Sequence, residues 1–309
     1  MENVIEVKNL IKKYDKLIAV NDISFSVKKG EIFGLLGENG AGKTTTLEMI
    51  EGLRKPTNGD IEVLGCNIKH RLNDIKERIG IQLQSSAYYH YLTLKEILEL
   101  FGSFYTKNED PKHLLSIVNL SEKANSFVGN LSGGQRQRFS IIASLINDPE
   151  IVFLDEPTTG LDPIARRHLW DIITGIKEKG KTIILTTHYM EEAEVLCDRI
   201  AIMEKGRIIA MDTTHKLIEK ADNPFKINFI ARSIKEVDIK KLEKLGQLNN
   251  VAGKKYNFEL RLKKQTDVNN ALGIIHEQNL ESLTVGRASL EDVFVELTGK
   301  AIADEEENA

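Results

Sequence analysis

The sequence predicts an α/β fold followed by a smaller α+β domain, and three observations carry that prediction. Short apolar runs of strand length alternate with segments of helical spacing. Two of these runs, Ile151-Val152-Phe153-Leu154 and Thr182-Ile183-Ile184-Leu185-Thr186, are apolar enough to be buried on both faces of a parallel sheet. A glycine-rich loop, Gly37-Glu38-Asn39-Gly40-Ala41-Gly42-Lys43-Thr44-Thr45, stands between a strand at Glu31 to Leu36 and a helix at Thr45 to Glu51. The pattern resets near Ala221-Asp222-Asn223-Pro224, where a β-α-β-β-α-β order begins, compatible with a small ferredoxin-like unit. The expected domains are therefore residues 1–220, with a mostly helical subdomain at about 86–150, then 221–303, with 304–309 an acidic tail expected to be disordered.

Composition bounds the rest. The 309 residues are 41% hydrophobic and 28% charged, enough apolar material for a full core. A net charge of −4 offers no bulk basic field for nucleic acid. No apolar run reaches the length of a membrane span, and Met1-Glu2-Asn3-Val4 lacks the regions of a signal peptide, so any membrane role is expected to come through a partner. Cys66 and Cys197 fit no metal spacing and read as reduced thiols.

In chain order, Val4 to Val7 and Ile23 to Val27 alternate as antiparallel strands. Tyr14 lies between them, either as a packed ring or as a face on which a base stacks. The glycine loop follows. Its glycines let backbone close around a phosphate, while N–H groups and the positive end of the next helix face the anion. Lys43 adds a point charge near the β- and γ-phosphates, and the Thr44 hydroxyl can ligate magnesium. Beyond a turn at Pro56 to Asp60 come strands at Ile61 to Val63 and Ile79 to Gln84. Thr93 and Glu96 have capping-box spacing, opening a helix with Leu94, Ile97, Leu98 and Phe101 on one face; Pro111 to Asn119 gives another.

Leu131-Ser132-Gly133-Gly134-Gln135 places two glycines directly before a helix carrying Phe139, Ile142 and Leu145, a second helix start suited to an anion. The apolar strand at Ile151 ends in Asp155-Glu156, two carboxylates that are costly there unless they serve a metal or a proton transfer. Asp155 can hold magnesium through water, and Glu156 can orient and deprotonate an attacking water. After a helix from about Ile164 to Glu178 and the strand at Thr182 comes His188. Asp155, Glu156 and His188 all fall at carboxyl ends of strands, where ligand groups gather in α/β sheets. His188 is thus expected to contact a γ-phosphate.

These motifs, in this order across residues 1 to about 215, resemble the ATP-binding subunit of an ABC transporter. The string Leu131 to Gln135 is the most discriminating, since other phosphate-loop proteins lack it. The resemblance implies an ABC-type nucleotide-binding domain with a mixed sheet core, an antiparallel β subdomain and a helical subdomain. It implies ATP and Mg2+ as ligands, with Tyr14 under the adenine and Gly37, Glu38, Asn39, Gly40, Ala41, Gly42, Lys43, Thr44 and Thr45 around the phosphates. Thr44, Asp155 and a glutamine would serve the metal, with Glu156, His188 and that glutamine as the catalytic set. Gln82 and Gln84 both stand at the strand end; aligned on Ile79-Gly80, the family's glutamine falls on Gln84. Two copies would form a head-to-tail dimer, each nucleotide completed in trans by Ser132, Gly133, Gly134, Gln135 and Asp162. Where the familiar segment begins Ser-Ala-Leu-Asp, this chain has Thr159-Gly160-Leu161-Asp162, a variant that leaves the catalytic set untouched. The segments Gln82 to Ser86 and Ala288 to Phe294 are similar to those of bacterial ABC-2-type exporter ATPases. Membrane permease subunits would be the further partners, with the chain peripheral on the cytoplasmic face of the membrane.

In the last ninety residues, Phe225, Ile227 and Phe229 alternate as a strand, Val237 to Leu245 suits a helix, and Leu248 to Val251 with Tyr256 to Leu262 form a hairpin about Gly253. Val268 to Glu277 suits a helix, Leu283 to Val285 a short strand, and Ser289 to Asp292 starts a final helix. No catalytic constellation appears there; bracing of a dimer, simple stabilisation and partner binding all remain open. Of other function classes, a soluble ABC ATPase acting on nucleic acid or ribosomes is disfavoured by the single cassette and unpaired cysteines, and a phosphate-loop kinase or GTPase by the Leu131 string.

Overall fold

The computed structural model describes residues 2–83, 88–251 and 256–299. The chain divides into two compact units, Met1–Thr213 and Thr214–Ala309. In the first, β1 (Asn3–Tyr14) and β2 (Leu17–Lys28) pair antiparallel across a turn at Asp15 and Lys16. Tyr14 therefore ends a strand rather than lying in a connection. Register shifts between Val7 and Lys13 explain the difference, because bulges keep a polar, non-alternating stretch inside the ladder. β3 (Ile32–Leu36), buried at all five residues, runs through the glycine loop into α1 (Lys43–Ile50). β4 (Asn58–Val63) and the two-residue β5 (Cys66–Asn67) complete an antiparallel sheet of order β2-β1-β4-β5.

A short helix absent from the sequence reading, α2 (Leu72–Lys76), leads to β6 (Ile79–Gln82). The helical part follows as α3 (Leu94–Gly102), α4 (Pro111–Ile117) and α5 (Gly133–Ala143). Thr93 and Glu96 form the expected capping box, and Asp110 caps α4 ahead of Pro111. The chain returns through β7 (Ile151–Asp155), α6 (Pro163–Glu178), β8 (Thr182–Thr187), α7 (Met190–Leu196), β9 (Arg199–Glu204) and β10 (Arg207–Asp212).

The second sheet has the order β10-β9-β3-β8-β7-β6. Its neighbours pair in parallel except at β9 and β10. The carboxyl ends of β3, β7 and β8 consequently lie side by side, which is what assembles the site. Ile5, Val7 and Phe25 of the antiparallel sheet share one core with Phe33, Phe153 and Ile184 of the mixed sheet. Phe25 and Phe33 stack with ring centres 5.3 Å apart.

The second unit opens with α8 (Thr214–Glu219), followed by β11 (Phe225–Ser233), α9 (Glu236–Leu245), β12 (Gln247–Asn250), β13 (Asn257–Leu262), α10 (Gln265–His276), β14 (Asn279–Arg287) and α11 (Leu290–Thr298). From β11 to β14 the order is the β-α-β-β-α-β read from the sequence, with strands arranged β12-β13-β11-β14, all antiparallel. Ile227, Phe229 and Leu260 pack against Leu242, Ala271 and Ile275 of the two helices. The boundary comes earlier than 220 because α8 packs on α11, and the Asp222 N–H donates to Glu296 Oε2 at 3.0 Å. Gly253 and the acidic tail lie outside the described residues.

Candidate functional site

The loop between β3 and α1 has the conformation its glycines suggest. Gly40 and Gly42 adopt φ of 81° and 100°, in the left-handed region that disfavours side chains. At Gly42 a Cβ would also meet the Ala19 carbonyl oxygen at 2.5 Å, and at Gly37 the Met203 oxygen at 2.4 Å. No side chain caps α1, so its first N–H groups are open toward the loop.

Lys43, only 4% exposed, is drawn back over this loop. Its Nζ donates to the carbonyls of Gly37 at 2.8 Å and Glu38 at 3.2 Å, and stands 3.3 Å from Glu156 Oε1. Burial pushes the ammonium pKa down, opposed by Glu156 and Asp155. Thr44 Oγ1 donates to Asp155 Oδ1 at 3.2 Å, and Thr186 Oγ1 donates to the same oxygen at 2.5 Å. Burial raises the Asp155 carboxyl above its usual range, against these two hydroxyls. Thr44 and Asp155 thus present converging hard oxygens at one point, a donor set that fits magnesium.

Glu156 follows at φ 47°, a left-handed kink at the strand end. The kink is held from β8, since the Glu156 N–H donates to Thr186 Oγ1 at 2.9 Å. Thr159 Oγ1 donates to Glu156 Oε2 at 3.2 Å, and His188 Nδ1 stands 3.3 Å from that oxygen, an electrostatic contact without good hydrogen-bond alignment. His188, with Lys43 also contributing, lowers the Glu156 pKa from 4.5 to about 2 despite its burial. Thr186 and Thr159 were missed in the sequence reading. Thr186 could have been flagged as one of two adjacent hydroxyls, Thr186 and Thr187, that follow the aliphatic run Ile183-Ile184-Leu185.

Tyr14 lines the same cavity of about 600 Å3 as Lys43, Thr44 and Glu156, so the structure brings ring, loop and carboxylate together. Tyr14 is 37% exposed, and its ring is flanked by Lys12 Nζ at 5.0 Å and Arg54 at 5.6 Å from its centre. Ser132 and Gln135 do not join them. They lie in a separate concavity of about 310 Å3 with Gly133, Gly134 and Asp162. There Ser132 Oγ accepts from the Gln135 N–H at 3.3 Å, and Gln135 Oε1 accepts from the Ser132 N–H at 3.0 Å, a capping box at the start of α5. Asp162 caps α6, accepting from the Ile164 and Ala165 N–H groups at 3.0 and 2.9 Å. Gln84 lies outside the described residues; Gln82 is buried and donates to the Leu83 carbonyl at 2.7 Å.

Residues 20–159 match the family model described as ABC transporter. The chain is 37% identical over 311 residues to the linearmycin resistance ATP-binding protein of Bacillus subtilis (strain 168), across 97% of this chain and 100% of that one. The chain belongs to the ABC transporter ATP-binding family. Within that family it is also 38% identical over 302 residues to a fluoroquinolones export ATP-binding protein of Mycobacterium tuberculosis, covering 97% of this chain and 94% of that one. It is 43% identical over 220 residues to the Nod factor export ATP-binding protein I of Burkholderia lata, covering 70% and 72%. A solved ATP-binding subunit of an ABC transporter matches with a TM-score of 0.63 at 32% identity, over 69% of this chain and 91% of that one. A dimeric ATP-binding cassette solved in a post-hydrolysis state with ADP and Pi matches at 0.62 and 26% identity, over 68% and 98%. As an ABC ATP-binding domain this protein binds ATP and is an ATPase.

Proposed function

We propose that this chain is the ATP-hydrolysing motor of an exporter, working as a pair of copies beneath membrane permease subunits on the cytoplasmic face. The observation that carries the reading is the separation, within one chain, of the Lys43–Glu156 cavity from the Ser132–Asp162 concavity. Each is a partial phosphate site, and a head-to-tail second copy brings one against the other. The names of the relatives, which include linearmycin resistance and Nod factor export, support the export direction.

Thr44 and Asp155, with Gln84, are the residues that would hold magnesium, which supplies neutralisation of the phosphoryl oxygens. Tyr14 stacks the base, and the loop N–H groups bind the phosphates. A triphosphate in the loop competes with Glu156 for Lys43; once Lys43 turns to the phosphate, the carboxylate loses one of the two cationic partners that hold its pKa down, and it accepts a proton from the attacking water. His188 steadies Glu156 and faces the γ-phosphate. A groove of about 760 Å3, lined by Leu83, Tyr88, Phe101, Phe104 and Tyr105, offers a permease a largely apolar seat. No helix among the described residues is long and apolar enough to cross a membrane.

Glu156→Gln tests the hydrolytic assignment. Turnover should fall by about 10²–10⁴-fold, the usual range for loss of a general base, while ATP binding persists and an ATP-dependent dimer accumulates on size exclusion. Turnover close to wild type would reject Glu156 as the base. Co-purification with a polytopic membrane protein tests the transport role.

A further inference from the structure

Behind the hydrolytic site lies a carboxyl group that the chemistry above does not use. Glu192, on α7, is fully buried. Its Oε1 accepts from Trp170 Nε1 of α6 at 3.2 Å. The hydroxyls of Thr187 and Thr158 face the same carboxyl, while Glu192 Oε2 and Thr158 Oγ1 are both buried without a well-aligned partner among the described residues. One more tie spans the same two elements: the Arg166 guanidinium of α6 lies 4.2 Å over the Tyr189 ring, next to His188.

These positions define two short segments. Thr158 stands two residues beyond Glu156, in the stretch that α6 closes after Asp162. Thr187 and Tyr189 bracket His188 between β8 and α7. Glu192 is the side chain that reaches both. A buried carboxyl with imperfectly matched hydroxyls is expensive where its only gain is stability, since an aliphatic side chain of similar volume would fill the space without desolvation.

We infer that Glu192 is a positioning residue for hydrolysis: its carboxyl couples the segment after Glu156 to the segment carrying His188, so that base and histidine keep their mutual distance as the site loads. Burial raises the Glu192 pKa, opposed by Thr187, Thr158, Trp170 and Arg166. The carboxyl accepts from Trp170 through Oε1, a bond that the amide oxygen of glutamine can also accept and leucine cannot.

The inference rests on the ATPase reading, which the Glu156→Gln experiment tests by itself. Glu192→Gln and Glu192→Leu are then compared in the full chain by steady-state ATPase assay and by binding of a non-hydrolysable ATP analogue. Glu192→Gln should keep kcat within about 3-fold of wild type, whereas Glu192→Leu should lose at least about 10-fold in kcat with KM and analogue affinity within about 2-fold, as expected when a reacting geometry loosens without loss of binding. Thr158→Val covers the case in which Glu192→Leu does not fold, and should also lower kcat with analogue affinity unchanged. Equal activity of the glutamine and leucine variants would overturn the inference, as would wild-type kcat in Thr158→Val or a loss confined to KM.

Discussion

At the scale of single residues, the Lys43–Glu156–His188 triangle is the feature from which most of the chemistry follows, and it makes a pH-dependent prediction. The Glu156 pKa is about 2 in the folded chain against an ordinary 4.5. An unfolded chain therefore takes up this proton first as pH falls. The stabilisation that the ion pair contributes is complete above 4.5 and is lost progressively between 4.5 and about 2. The stability gap between wild type and Glu156→Gln, measured by urea denaturation, should accordingly shrink from about pH 6 to about pH 3; a gap that stays constant would mean that the pairing does not stabilise the fold. The residues of this site were legible because each belongs to a motif with its own local signature. Their mutual geometry was not: Thr186 reaches both Asp155 and the Glu156 backbone across the sheet, and no pattern within one segment announces a contact between two strands. The helix starts after Ser132 and Asp162 were read from the sequence; the capping box that Gln135 closes with Ser132 was legible in their spacing but was not drawn.

At the scale of elements, the join between β6 and the helical part depends on a glycine. A Cβ at Gly80 would meet the Ser144 carbonyl oxygen at 1.9 Å, and Pro149 at 3.0 Å, so β6 lies directly against the end of α5. Asn147 fastens the same junction, its Nδ2 donating to the Ile79 carbonyl at 2.8 Å. Gly80→Ala should destabilise the chain by about 1–3 kcal/mol or more, read as a lower midpoint in urea; an unchanged midpoint would show that the join yields easily. Strongly apolar elements such as β3, β7 and β8 were legible because burial on both faces leaves little room for polar residues. Others were hidden for opposite reasons. α7 carries three glutamates in seven residues, one of them buried, so its inward face is disguised by charge. β14 runs for nine residues, not three, and is exposed along nearly all of them; an edge strand of this kind needs no apolar alternation to stay paired with β11.

At the scale of the whole molecule, the two units have separate cores, and the relatives differ in how much of the chain they share. The relatives from Bacillus subtilis and Mycobacterium tuberculosis align over 97% of the chain, whereas the Nod factor relative covers 70%. All the site residues lie in the first unit. Phe229→Ala, in the core of the second, should therefore cost that unit about 3–5 kcal/mol while leaving affinity for an ATP analogue unchanged; a parallel loss of binding would show that the first unit depends on the second. The two-copy arrangement has its own test. Ser132→Arg should leave ATP binding intact and abolish ATPase activity together with the ATP-dependent dimer, and an unchanged rate would reject completion of the site in trans. The capping box at Ser132 has a consequence for how such a pair would close. Because Ser132 and Gln135 already satisfy each other, the first turn of α5 is ordered in the lone chain, with the Gly133 and Gly134 N–H groups left over. The entropy of arranging those donors is lost during folding, not at each encounter. If the two copies close as proposed, such a motor would meet its fuel with a finished surface, and the free energy of contact would be free for movement instead of local ordering.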